Sequence, residues 1–238
     1  MIYGCETWAT ANIKQIEVLY RQGIKTALSI RCSVNNEIVY TESGQQPLSV
    51  RITKQQLNFW TNLQLYLQNK PNHYISKLIN TVKQSNISYI NFYINLETQY
   101  TDAANCWYKL KEEHESKCKE SIINASQTDE LSRLGAYYQV NPSLSTPTYE
   151  EKAEFQRVCI TRYRTGSSNL AIEKGKYANV VREERLCLCN LDIQSLKHVL
   201  LDCHLLNDIR AKYGVTDMES GVMNDCFLVE MESILDIK

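Results

Sequence analysis

Apolar residues recur at steps of three and four along most of the chain, the spacing of one helix face. From Ala11 to Ile30 the stripe is Ile13, Ile16, Tyr20, Ile24, Ala27 and Leu28, weakened modestly at Gly23. A shorter helical stretch is predicted over Val34–Glu42, ending at Gly44. Pro47 blocks propagation, and Ser49 is placed to cap a helix carrying Ile52, Leu57, Phe59, Trp60, Leu63 and Leu67. After Pro71 a third helix reads through Ile75, Leu78, Ile79 and Val82. The run Ser88–Leu96 has the Tyr, Ile and Phe content of a strand and the spacing of a helix; its helical neighbours favour the helix. From Ala103 to Ala125 one stripe holds Trp107, Leu110, His114, Cys118 and Ile122.

The turn-rich stretch Asn141–Pro147 is the best linker. Beyond it, Thr148 and Glu151 have capping-box spacing. The helix they open carries Phe155, Val158, Cys159 and Tyr163 on one face and ends at Gly166. Arg157, Arg164 and Arg162 are then expected to point away from that face, as a phosphate-contacting helix requires. Ser167, Ser168 and Asn169 read as the cap of a short turn. Leu196, Val199, Leu200 and Leu206 form the apolar side of a last helical stretch. The fold class expected is mainly α. The segments expected are a helical region over 1–70, a helical linker region over 71–147, a basic arm with a metal knuckle over 148–213, and an acidic tail over 214–238.

Composition narrows this picture. Eight glycines and four prolines in 238 residues suit long helices, and 43% hydrophobic content with a net charge of −1 suits a folded body. The near-neutral total conceals a basic arm followed by an acidic end. That end would repel nucleic acid or fold back on the arm. No apolar run approaches the ~20 residues of a membrane span, and the first residues do not read as a signal peptide. Nine cysteines, an odd count, favour reduced thiols in a nuclear or cytoplasmic setting.

The candidate chemistry lies between Arg157 and Cys203. The arm has Arg157, Arg162, Arg164, Lys174, Lys176, Arg182 and Arg185 against Glu173, Glu183 and Glu184. Directly after it come Cys187, Cys189, His198 and Cys203, three thiols and one imidazole, the ligand set of a closed zinc site. His204 is an alternative ligand. On a regular helix residues 198 and 203 lie more than one turn apart, so a break near Cys203 is expected if both hold one ion. His114 and Cys118 share a helix face, with no further ligand near in sequence. A metal knuckle beside a basic arm points to RNA or DNA as partner. Tyr177, Trp8 and Trp60 are candidates either for base stacking or for ordinary packing.

The order C…C…H-x4-C resembles the cysteine–histidine knuckle at the C-terminal end of reverse transcriptases from LINE-type, non-LTR retrotransposons. The stretch Tyr163–Cys187 is similar to the family's approach to its knuckle, and Leu200–Cys203 with Arg210 to its exit. Tyr3–Trp8 and Tyr40–Ile52 are similar to segments that follow the family's polymerase palm. The first ligand pair here is C-x-C rather than C-x2-C, a tighter chelate. Gln194–Lys197 stands where the family has an acidic run.

The resemblance implies thumb-like and linker helices followed by a zinc-bearing, nucleic-acid-binding region. It also implies upstream reverse-transcriptase modules as possible partners, this chain reading as a piece of a longer frame. The chain carries no paired-aspartate polymerase motif, no phosphate-loop motif and no H-E-x-x-H, so the role expected is non-catalytic. The rival expectation is a metal-free helical interaction or structural remnant that binds no nucleic acid.

Overall fold

The computed structural model describes residues 13–71, 73, 74, 76, 77, 81, 93, 95, 103–129, 132–149 and 152–237. Among them the chain is mainly α-helical, and the one β feature is an antiparallel bridge between Leu186 and Ile193. The helices in order are α1 (Lys14–Ala27), α2 (Asn36–Ser43), α3 (Leu48–Asn69), α4 (Ala103–Thr128) and α5 (Arg133–Val140). They continue with α6 (Glu154–Arg164), α7 (Ala171–Tyr177), α8 (Asn207–Tyr213), α9 (Met218–Met223) and α10 (Asp225–Ile234). The chain forms two compact units, one within Met1–Arg21 and Gln45–Lys117, the other within Gln22–Gly44 and Cys118–Lys238.

In the first unit α3 starts one residue before the expected cap. Pro47 takes the N-cap position, and the exposed amides are met from elsewhere. The Glu17 carboxylate accepts from the Leu48 and Ser49 N–H groups at 3.2 and 3.0 Å. An acid at a helix N-terminus also meets the positive end of the helix dipole. Leu48 and Ile52 pack with Ile13, Ile16 and Tyr20. Trp60 is 1% exposed and stacks on Tyr93 at 5.0 Å, so of its two candidate roles it takes packing. Lys54 lies over the Trp107 ring, and Arg51 over that of Tyr20. Trp8 and most of Ser88–Leu96 lie outside the described residues.

The second unit holds the larger core. Ile38, Val39, Ile122, Tyr137, Val140, Ile160, Tyr163, Val199, Leu200 and Leu206 share it with Val222, Phe227, Leu228 and Met231. Each such fully buried side chain contributes about 1.5–3 kcal/mol by transfer from water. The acidic segment is not a separate tail. Its two helices, α9 and α10, place Met218, Val222, Phe227, Leu228 and Met231 in this core. Its acids meet partners: Asp225 pairs with Lys152 at 2.6 Å, Glu230 with Lys212 at 2.7 Å, and Glu232 accepts from the Tyr163 hydroxyl at 2.7 Å.

Helix α6 differs from its sequence reading at both its start and its face. It begins at Glu154, where Gln156 Oε1 reaches back to accept from the Ala153 N–H at 2.7 Å; Glu151 lies outside the described residues. Its end is as expected. Gly166 has φ +65°, and the N–H groups of Gly166 and Ser167 donate to Tyr163 O and Arg162 O, a Schellman closure. The buried face, however, is Ile160, Thr161, Tyr163 and Arg164, while Phe155 is 66% exposed. Arg164 shares a face with Ile160, four residues away, and so does not point outward. Its Nε donates to Glu42 Oε1 at 2.8 Å, and the same oxygen accepts from Tyr137. Burial pushes the Glu42 carboxyl up, against the pull of Arg164 and Tyr137.

Candidate metal centre

The knuckle is a short hairpin. Gln194 N–H donates to Arg185 O at 2.8 Å, Leu186 bridges Ile193, and Cys187 N–H donates to Asp192 O at 2.9 Å. At the tip Asn190 N–H donates to Cys187 O at 2.8 Å. Asn190 itself has φ +58°, a left-handed conformation that asparagine tolerates better than most residues. One intervening residue between Cys187 and Cys189 therefore suffices, because the reversal is completed by Asn190 rather than inside the pair.

The other two ligands come from a widened turn. His198–Asp202 is a π-helical turn, closed by Cys203 N–H donating to His198 O at 2.7 Å. A bond across five residues adds one residue to the turn, so residue 203 comes back over residue 198. Cys203 is extended, with φ −67° and ψ 116°, so the helix breaks there as the spacing had predicted. The widening is what the spacing did not reveal. Arg210 holds this irregular end: its Nη2 donates to Cys203 O at 2.6 Å and also to Asn207 Oδ1.

The four ligand atoms all lie within 4.8 Å of one another. Cys187 Sγ and Cys203 Sγ are 3.7 Å apart, far from a disulfide, which has sulfurs about 2.05 Å apart. Two thiolates about 2.3 Å from a tetrahedral ion stand about 3.8 Å apart, so that pair already has a metal-site separation. Cys189 Sγ and His198 Nε2 are 3.2 Å apart. Cys187, Cys203 and His198 are buried and Cys189 half-buried. With four protein donors around one point, the arrangement fits a closed structural site and leaves no open position for a substrate.

Backbone amides support the thiolate form of each cysteine. The hydrogen bonds run from Cys189 to Cys187, from Leu191 and Asp192 to Cys189, and from Leu205 to Cys203. Each sulfur is thus met by the N–H two residues on. Burial still pushes the Cys187 thiol up to about 12 and raises that of Cys203, since neither has a countercharge. At Cys189 burial acts in the same sense but is outweighed. The Leu191 amide and the two neighbouring thiols hold its thiol below the usual range. A bound dication would supply the missing countercharge. On the far side of the imidazole, His198 Nδ1 faces Asp192 Oδ2 at 3.8 Å, the place of a carboxylate that orients a metal-bound histidine.

Three supporting residues were not singled out from sequence. Gln194, buried, caps α7: its Oε1 accepts from Ala171 N–H at 2.7 Å, a role expected of Ser167–Asn169. Asp192 and Ser195 serve His198, the latter accepting from its N–H at 3.2 Å. The only signal for these would have been their position between ligands. His204, the alternative ligand, is exposed and stands outside the cluster. His114 and Cys118 belong to no metal-ligand group among the described residues.

The arm residues separate into exposed and committed side chains. Arg157 and Lys174 are exposed, and Arg182 is half-buried. Arg162 is exposed while its Nε donates to Ser29 O at 3.0 Å. Lys176 pairs with Glu173 at 2.9 Å. Arg164 is the buried partner of Glu42. Arg185 is a strut: it crosses Gly175 and donates to Ile172 O at 3.0 Å and Val180 O at 2.6 Å. A Cβ on Gly175 would come 2.4 Å from Arg185 Nε, so this crossing requires glycine. Tyr177 lies beneath the Arg31 guanidinium at 5.0 Å, and its hydroxyl bonds Ser33.

Scans against protein-family models, curated proteins and solved structures found no match. Among the described residues no helix is long and apolar enough to cross a membrane.

Proposed function

We propose that this chain is a non-catalytic, zinc-stabilised nucleic-acid-binding protein of the LINE reverse-transcriptase C-terminal type. Zinc is held by Cys187, Cys189, His198 and Cys203, and Arg157, Arg162, Lys174, Lys176 and Arg182 meet phosphates. The observation that carries the metal assignment is the convergence of the four ligand atoms within 4.8 Å, each sulfur met by a backbone amide. Zinc is the metal because thiolates with one imidazole in a closed tetrahedral set suit it best among common divalent ions. Zinc fixes the knuckle, and the knuckle in turn fixes α7 through Gln194, so the arm's cations keep a set arrangement.

The rival reading is a metal-free helical interaction protein. It is favoured by Arg164 and Arg185, whose guanidiniums serve internal partners and are withdrawn from any phosphate.

The test begins with zinc content of the purified, reduced chain, with Cys187→Ser as control. About one zinc per chain, lost in the control, is expected. Binding to single- and double-stranded nucleic acid is then followed against salt. Affinity should fall steeply as salt rises, because phosphate contacts release counterions. Absence of zinc from the parent chain sinks the metal assignment. Salt-independent affinity, or none, sinks the nucleic-acid one.

A further inference from the structure

The second unit also contains a recess of about 220 Å³ between α5, α7 and the residues entering the knuckle helix. Its lining is unbalanced in charge. Arg133, Arg164, Lys176, Arg182, Arg185 and Lys197 line it against the single carboxylate of Glu173. Arg164 is neutralised by Glu42. Glu173 is shared: Arg133 Nη2 lies 3.0 Å from it, Lys176 Nζ 2.9 Å and Arg31 Nη1 3.9 Å. Among the described residues Arg182, Arg185 and Lys197 make no salt bridge. A concave, partly desolvated surface of one sign concentrates the opposite charge.

A donor is also left over. Arg133 Nε is buried without a hydrogen-bond partner. An unpaired N–H on a buried cation costs more than a neutral one, and an acceptor arriving in the recess would remove that cost. The wall beside it is Gly166, where a Cβ would stand 3.4 Å from this same nitrogen. Leu170, Ile172, Leu196 and Met218 add an apolar patch to a lining that also holds Ser132, Gln139, Ser168 and Ser195. Charged donors beside an apolar floor suit a ligand with an anionic end and an organic body.

We propose that this recess binds a single phosphorylated nucleotide unit. Its phosphate meets Arg133, Arg182 and Lys197, and its sugar and base lie against Leu170, Ile172 and Met218. The phosphate rests on the charge of the recess alone; the choice of a nucleotide rests on the nucleic-acid reading above. Two sources share this chemistry, a phosphorylated strand end and a free nucleoside monophosphate. A strand running on in both directions does not fit a recess, so the unit is terminal.

The test uses the full chain and the variant Arg182→Gln/Lys197→Gln, whose folding is checked by circular dichroism. Fluorescence anisotropy compares a labelled single strand ending in phosphate with the same strand ending in hydroxyl. The parent should prefer the phosphorylated end about tenfold, and the variant should lose that preference. Competition by AMP, but not by inorganic phosphate, would identify the organic body as part of the ligand. If no strand binds but AMP raises the thermal midpoint of the parent and not of the variant, the recess stands with a free nucleotide and the nucleic-acid reading fails. If both strand ends bind equally and AMP shifts neither protein, the recess is overturned while general phosphate binding by the arm survives.

Discussion

The second unit buries two polar centres in one core, and they close in opposite ways. At the first, Glu42 meets Arg164 at 2.8 Å, Tyr137 donates to the same carboxylate oxygen, and Asn141 donates to Tyr137 at 2.9 Å. The chain supplies both charges. At the second, three sulfurs and one imidazole converge with amide donors around them and no protein cation among them. Burial raises the Cys187 and Cys203 thiols, while Cys189 is held below the usual range by its amide and thiol neighbours. The first centre is complete when the chain folds, whereas the second could hold a metal ion that the chain does not itself supply. The difference teaches where to expect metal dependence: not wherever polar groups are buried, but where they lack a counterpart in the sequence.

The largest expected effect follows directly. Removing zinc with a chelator, or replacing Cys203 with Ser, should destabilise the second unit by several kcal/mol, since binding energy at a structural site is folding energy. Cys203 lies in the same core as Val199, Leu200 and Phe227, so the loss should reach beyond the knuckle. Limited proteolysis should cut first between residues 180 and 206. If chelation leaves both the thermal midpoint and the cleavage pattern unchanged, the two centres do not differ as argued.

Next comes the self-contained centre. Arg164→Met leaves a buried carboxylate without its cation and should cost about 3–5 kcal/mol in denaturant unfolding. Glu42→Met with Arg164→Met should recover most of that, because an apolar pair of similar size replaces the ion pair. The double variant should keep its response to chelator. A double variant as unstable as Arg164→Met alone would mean that Arg164 acts by packing rather than by charge.

How much of this was legible beforehand depended on what sets each position. Helix spacing gave the mainly α class, and residue chemistry picked out the four side chains that converge, because few others can hold a metal ion. The break at Cys203 followed from turn geometry. The widened turn that aligns His198 with Cys203 did not, because the five-residue hydrogen bond is set by tertiary packing and by Arg210. Helix α6 shows the commoner failure. Phe155, Val158 and Cys159 suggested one face, but Glu42, far away in sequence, drew Arg164 inward and turned the helix by about one position. A charge's direction is decided by its partner, and a partner distant in sequence leaves no local pattern. Gln194 was hidden for the same reason: its α7 cap is visible only once the hairpin folds back.

A smaller effect separates structural cations from those available to phosphate. Gly175→Ala must displace Arg185, which satisfies the carbonyls of Ile172 and Val180. Overpacking of this kind should cost about 1–3 kcal/mol. If Arg185 is a strut, Gly175→Ala/Arg185→Ala should cost no more than Arg185→Ala alone, since the clash disappears with the side chain. Additive losses would show that Gly175 matters for another reason. Zinc content should be unchanged in all three variants.

The smallest effect tests how the acidic segment is tied to α6. Asp225 is held below the usual carboxylate range, first by the hydrogen bond from Lys152 and then by its charge and by Gln156. A carboxyl lowered on folding contributes stability that is present above its unfolded value, about 3.9, and is lost as pH falls through the folded one. Lys152→Met should therefore cost about 1 kcal/mol at neutral pH. The difference between variant and parent should shrink below about pH 4 as Asp225 takes up its proton in both. A gap that persists undiminished in acid would assign the loss to the lysine's aliphatic packing. The Asp225–Lys152 pair would then add no electrostatic tie to the anchorage that Val222, Phe227 and Met231 provide in the core.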